Sequence, residues 1–72
     1  MTPDGLILIE QRIGARVLIF RTRLKLSAND LALRSGVHRN TIYRMENGQN
    51  CSIENLYRVA VALDVDLASL LC

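Results

Sequence analysis

The chain has 72 residues, half of them apolar, and a net charge of +2, so it is long enough for one folded domain and too apolar to be disordered. It contains one Phe, two Tyr and no Trp, so Leu, Ile, Val and Ala must build the core, a composition that favours helices over a sandwich or barrel. One His and two distant cysteines, Cys51 and Cys72, are too few for a metal site, and we expect reduced thiols rather than a disulfide. No segment has the length of a membrane span or the pattern of a signal peptide, so we expect a cytoplasmic protein.

The charge is unevenly distributed along the chain. Between Arg12 and Gln49, eight basic residues stand against two acidic ones, a local net charge of +6, whereas residues 1–11 and 50–72 each carry −2. A basic middle section fits a phosphate-binding surface, and on charge alone it fits a solvated basic surface equally well.

The first predicted helix is long and begins at Leu6, after residues 2–5, which read as a turn or a frayed end. Apolar residues at spacings of four and three predict its core-facing stripe: Ile9, Ile13, Val17, Phe20 and Leu24. A second apolar set exceeds what a small core needs and suggests a surface for a dimer or another partner: Leu6, Ile7, Leu8, Leu18 and Ile19.

Two short helices joined by a tight turn are predicted next. Ser27 caps the first of them, with Asp30 three residues later as a carboxylate variant of the capping box, and the helix runs to about Arg34 with Leu31 and Ala32 facing inward. After Ser35, Gly36 supplies the positive φ that such a turn requires.

The following helix is predicted over about His38 to Glu46. Val37, Ile42 and Met45 anchor it on the core, which leaves its other face outward. A helix held in this way fits the major groove of DNA.

Two further helices complete the chain. Ser52 caps a helix whose predicted inward residues are Ile53, Leu56, Val59, Ala60 and Leu63. Asp66 caps a short last helix over Leu67 to Leu71.

These features together resemble the Cro/repressor-type (XRE) helix-turn-helix family. The matching residues are Ile13-Gly14, Val17, Phe20-Arg21, Leu26-Ser27, Leu31-Ala32, Gly36-Val37, Thr41-Ile42, Met45-Glu46, Gly48, Ser52-Ile53, Leu56, Ala60 and Ala62-Leu63. The resemblance implies an all-α, five-helix, lambda-repressor-like domain over residues 1–72, with the motif at about 28–47 and a dimerisation region at 65–72. The segment 50–56 is similar to the restriction–modification controller branch.

The resemblance also implies roles for individual residues. Base contacts are expected from Arg39, Asn40, Tyr43 and Arg44, and the chemistry agrees, because Arg can pair bidentately with guanine and Asn with adenine. Tyr43 can touch a thymine methyl, reach a phosphate or simply cover the edge of the core. Phosphate contacts are expected from Ser27, Asn29, His38, Asn47 and Gln49.

Five further positions follow or depart from the family pattern. Arg21 and Glu46 match a family ion pair, the alternative for Arg21 being a phosphate contact. Ala28 stands where the family usually has a DNA-contacting Gln, and Asn29 is a candidate substitute. Lys25 and Asp64 stand where Gly is common after a helix, so they must adopt that turn at some strain.

The expected function is that of a dimeric transcriptional regulator on a palindromic operator, because two recognition helices about 34 Å apart read more sequence than one. The predicted interface is Val65, Leu67, Leu70 and Leu71, although Leu67 and Leu70 can also close the core. Autoregulation is typical of what the chain resembles, and an activating role would add RNA polymerase as a partner. An antitoxin-type protein that binds a partner protein as well as DNA is the alternative. We expect no enzyme activity and no cofactor, because no nucleophile–base pair, carboxylate pair or phosphate-cradling loop is visible.

Overall fold

The computed structural model describes the backbone of residues 3–71 and the side chains of residues 5–71. Five helices make up this part of the chain, and it contains no strand. They are α1 (Pro3–Arg23), α2 (Ala28–Ser35), α3 (Arg39–Glu46), α4 (Ile53–Leu63) and α5 (Leu67–Leu71). The predicted all-α, five-helix fold with a long first helix is confirmed. Cys72, one of the two predicted thiols, lies outside the described residues.

Helix α1 begins at Pro3 rather than at Leu6, so the predicted turn is wrong from Pro3 onward, while Thr2 lies outside the described residues. Proline is favoured in the first turn of a helix because its missing N–H group has no partner there in any case. With 21 residues, α1 is about 31 Å long.

The predicted stripe on α1 reaches the core only in its middle. Ile13 and Val17 are buried and Phe20 packs against the core, but Ile9 and Leu24 are 48% and 49% exposed. The prediction for these two residues is wrong for different reasons. Ile9 lies in the part of α1 that extends past the shorter helices covering its middle, whereas Leu24 comes after the last residue of α1, Arg23, in the turn that leads to α2.

The core is formed by buried apolar residues from all five helices and two connecting loops: Ile13, Val17, Leu26, Ala28, Leu31, Val37, Ile42, Met45, Leu56, Val59, Ala60, Leu63 and Leu70. Leu70 is fully buried within the single chain, so its predicted place at an exposed dimer surface is wrong. It closes the core instead, with α5 held to α1 by a hydrogen bond from Arg16 Nη1 to the Ser69 carbonyl (3.4 Å).

Helix α4 begins after Ser52, whose hydroxyl accepts a hydrogen bond from the Asn55 N–H (3.2 Å) as predicted for an N-cap. Leu56, Val59, Ala60 and Leu63 face inward, but Ile53 is 68% exposed and its predicted inward position is wrong. Ile53 is the first residue of the helix and is not covered by a neighbouring helix.

Within residues 3–71, three non-glycine residues have left-handed backbone. Lys25 and Asp64 have φ of 58°, as their positions after α1 and α4 predicted, and Asn50 shares that value in the loop between α3 and α4.

In the loop between α3 and α4, Cys51 is a free, half-buried thiol. Burial, with a smaller contribution from the charge of Glu10, raises the pKa of the Cys51 thiol, which disfavours the reactive thiolate.

Candidate nucleic-acid interface

The turn between α2 and α3 is fixed by backbone geometry and by one buried hydroxyl. Gly36 has φ of 72°, and its N–H donates to the Ala32 carbonyl (3.0 Å), closing α2. The hydroxyl of Ser35, 8% exposed, accepts a hydrogen bond from the Val37 N–H (3.2 Å). The chain thus leaves α2 and enters α3 along one defined path.

Helix α3 is anchored by its inner face. Ile42 and Met45 have no exposed surface and Val37 has 6%, which confirms the predicted inward set. The C-terminal end of α3 also lies directly against α1 at Gly14, where an added Cβ would come within 2.7 Å of the Glu46 carbonyl oxygen. Only a residue without a side chain permits this approach.

The opposite face of α3 is polar and open to solvent. The helical repeat places five exposed residues on this face, away from Ile42 and Met45. They are Arg39, Asn40, Tyr43, Arg44 and Asn47. All four predicted base-contacting residues therefore lie together on one exposed helix face.

His38 has a defined local role at the start of α3. It is the N-cap residue and not, as predicted, the first residue of the helix, and its Nδ1 accepts a hydrogen bond from the Asn40 N–H (3.0 Å). A ring nitrogen can thus do what a Ser or Asp oxygen usually does at this position. The sequence did not signal this role, because His is not a preferred N-cap residue.

The N-terminal turns of α2 and α3 meet through their side chains. Arg39 Nη1 donates a hydrogen bond to Asn29 Oδ1 (3.4 Å), although the residues are ten apart in sequence. Both side chains are exposed. Ala28 is 4% exposed and packs in the core, so Asn29 is the first exposed side chain of α2.

The remaining predicted phosphate-contacting residues are exposed, and two of them also make local hydrogen bonds. The Ser27 hydroxyl accepts from the Asp30 N–H (3.0 Å), while Asp30 Oδ2 accepts from the Ser27 N–H (2.9 Å), so the predicted capping box is present. Asn47 Nδ2 donates to the Tyr43 carbonyl (3.0 Å) and thereby closes α3, and the exposed Gln49 follows. The hydrogen bond from the Ser27 N–H lowers the pKa of Asp30.

Arg21 and Glu46 connect α1 to the end of α3. Arg21 Nε and Nη2 donate to the two carboxylate oxygens of Glu46 at 2.7 and 3.1 Å, and Nη1 donates to the Leu26 carbonyl at 3.1 Å. Their side chains are 13% and 10% exposed. Hydrogen bonding to Glu46 raises the pKa of Arg21, against the opposing effect of burial. Arg21 is thus engaged inside the protein, which favours the ion pair over the phosphate contact.

Two further features of the described residues concern membranes and metal ions. No helix in the part of the chain that it describes is long and apolar enough to cross a membrane. Among the same residues, no three His, Cys, Asp or Glu side chains lie close enough together to hold a metal ion.

Comparison with known proteins agrees with the geometry. The sequence matches the helix-turn-helix family over residues 18–70. The fold is similar to the crystal structure of the restriction-modification controller protein C.AhdI from Aeromonas hydrophila, with a TM-score of 0.79 and 34% sequence identity over 93% of this chain and 97% of that one. No curated protein matches the sequence significantly. With the polar face of α3 held outward on such a fold, the chain belongs to the XRE-type helix-turn-helix family and is a DNA-binding transcriptional regulator, not an enzyme.

Proposed function

We propose that this regulator recognises a palindromic operator as a homodimer in the cytoplasm and controls its own promoter. The carrying observation is the polar outer face of α3, fixed by the complete burial of Ile42 and Met45 behind it. Arg39, Asn40, Tyr43 and Arg44 read base edges in the major groove. Phosphate contacts come from the surrounding residues Ser27, Asn29, His38, Asn47 and Gln49.

The positions of exposed basic residues support a contact with DNA through α2 and α3. Lys25 and Arg34, at the two ends of the α2 region, are exposed, as are Arg39 and Arg44 on α3. Arg21 is neutralised by Glu46, so the exposed cations and not the buried one supply the attraction to phosphate.

Dimerisation is supported by exposed apolar side chains near the C-terminal end. Ile53, Tyr57 and Val61 are 68%, 61% and 61% exposed and follow one another at four-residue spacing along α4. Leu71 is 41% exposed, while Val65 and Leu67 are half-buried against the core. The proposed interface therefore consists of the α4 residues together with Val65, Leu67 and Leu71. Leu70 packs in the core beneath them.

Autoregulation is proposed from the similarity to a controller protein. A dimer that occupies its own promoter represses it by blocking access, and one placed beside the polymerase site activates it by contacting RNA polymerase. Both regulatory modes use the same operator contacts.

The test is a mobility-shift titration of the purified protein on DNA from upstream of its own gene, at one near-physiological salt concentration. Loss of a bidentate contact in Arg39→Ala is expected to weaken specific binding by about 10- to 100-fold and to relax the preference at one base pair. The matched control is Arg58→Ala, which removes an exposed arginine on α4 that pairs with Glu54 and should leave binding unchanged. Equal binding of all sequences, unaffected by Arg39→Ala, would contradict the proposal.

A second candidate is an antitoxin-type regulator that also binds a partner protein. The observation that favours it is the run of exposed apolar side chains at the start of α1, from Leu6 (54%) to Ile9 (48%). Stoichiometric co-purification of a second small protein, abolished by Leu8→Glu, would support this candidate. Purification as a homogeneous homodimer from the native host would exclude it.

A further inference from the structure

The contact between Asn29 and Arg39 joins two residues that both face the proposed DNA surface. Arg39 Nη1 donates to Asn29 Oδ1 at 3.4 Å, across the turn that connects α2 and α3. The neighbouring carboxylate of Asp30 caps α2, where its Oδ2 accepts from the Ser27 N–H at 2.9 Å. Asn29 is therefore a neutral acceptor beside Arg39.

An arginine that reads guanine must hold its guanidinium in the plane of the base. A free arginine side chain loses rotamer entropy when it is fixed, and a contact made before binding reduces the loss at the moment of binding. A guanidinium has five N–H donors, so one donated to Asn29 leaves four for a base and a phosphate. Holding Arg39 in this way does not use up its capacity to read a base.

The chemical type of residue 29 also matters. A carboxylate here would neutralise Arg39 and repel DNA phosphates, whereas an amide oxygen orients the guanidinium and leaves its charge intact. The Asn29 side chain keeps two N–H donors of its own. Ala28 contributes nothing to this surface because its side chain is in the core.

We propose that Asn29 is a positioning residue that sets operator specificity through Arg39, an inference that rests on the proposed function. A direct phosphate contact by Asn29 would instead contribute affinity without sequence preference. The two roles are separable, because positioning requires Arg39 and a phosphate contact does not.

The experiment is a double-mutant cycle on the full chain with Asn29→Ala, Arg39→Ala and both together. Affinity is measured for the operator and for a set of its single-base-pair variants at one salt concentration. We expect Asn29→Ala to weaken operator binding about three- to tenfold and to relax the preference at the same base pair as Arg39→Ala does. Added to Arg39→Ala, it should have no further effect.

Asn29→Asp supplies the conservative control. It keeps the acceptor for Arg39, so the base preference should persist, while the added negative charge lowers affinity for all sequences alike. Thermal unfolding of every variant should match the parent, because Asn29 and Arg39 are both exposed.

Two results would overturn the inference: additive losses that are uniform over all sequences, or no loss in Asn29→Ala. In either case Arg39→Ala still tests the proposed function separately, since its effect on base preference does not depend on Asn29. Absence of any sequence preference in the parent protein would overturn both proposals together.

Discussion

Arg21 illustrates how a single residue secures the position of α3. Its guanidinium makes three hydrogen bonds, two to Glu46 and one to the Leu26 carbonyl, and both charged side chains are largely buried. Removing the charge of Glu46 would leave the Arg21 cation in a site with little water. We expect Glu46→Gln to lower the free energy of unfolding by about 2–3 kcal/mol, measured by urea denaturation.

The matched control for this prediction is Glu54→Gln on α4. Glu54 also pairs with an arginine, Arg58, at 3.2 Å, but the two side chains are 74% and 49% exposed. An exposed pair of this kind contributes little, so the change should stay within about 0.5 kcal/mol. Equal losses in the two variants would show that burial of the Arg21 pair is irrelevant to its strength.

Residues with a local backbone task could be predicted from the sequence. The positive φ of Gly36 and the capping box of Ser27 follow from residue type and spacing over a few positions. The role of His38 as a cap was not predicted, because its ring nitrogen accepts a hydrogen bond in a way that its residue type does not favour. The Asn29–Arg39 contact was not predicted either, because it depends on two side-chain rotamers ten residues apart.

At the scale of the elements, α2 depends on its caps, because eight residues are too few for a stable isolated helix. The capping box lowers the pKa of Asp30, so the folded state holds the carboxylate form more strongly than the unfolded chain does. This contribution is fully present above the unfolded pKa of about 3.9 and is lost as the pH falls through the lower folded value. Asp30→Asn should therefore unfold at a lower temperature at pH 7.

The pH dependence supplies the measurement for this prediction. Thermal unfolding followed by circular dichroism should show the gap between parent and Asp30→Asn shrinking below about pH 4 and closing as Asp30 becomes protonated. A gap that stays constant from pH 7 down to the acid limit of the folded protein would mean that the carboxylate charge is not what stabilises the cap.

Helix ends were harder to predict than helix faces. Apolar spacing correctly identified the middle of α1, but it reveals neither where the covering helices stop nor where α1 itself ends, so Ile9 and Leu24 proved to be exposed. The same reason applies to Ile53 at the start of α4. Periodicity reports which side of a helix is apolar, whereas burial depends on the lengths of its neighbours.

For the whole molecule, the exposed apolar residues of α4 make a prediction about association. Val61→Glu would place a charge in the proposed interface and should convert the proposed dimer to a monomer in sedimentation velocity at tens of micromolar. Leu33→Glu is the matched control, because Leu33 is 85% exposed and lies on α2, which contributes no residue to that interface. Leu70→Glu is unsuitable as a test, since Leu70 is in the core and its substitution would unfold the chain.

A further variant tests whether the proposed interface lies on α4 or at the start of α1. Ile7 is 49% exposed near the start of α1. If Ile7→Glu dissociates the dimer and Val61→Glu does not, the subunits pair through the start of α1 instead of α4. The fold class could be predicted from the sequence, but the choice between these two apolar surfaces could not, because both are surplus to one small core.

The close approach of α1 and α3 at Gly14 bears on how the protein adapts to its operator. Backbone meets backbone there, with no side chain that could change rotamer to let one helix slide over the other. Helices α1 and α3 are therefore expected to move as one body. In the proposed dimer, the spacing of the two half-sites can differ from the spacing of the two α3 helices. Such a difference must then be accommodated by bending or twisting of the DNA, or by a shift at the interface between the subunits. Base pairs at the centre of the operator that no side chain touches would then influence affinity through their flexibility.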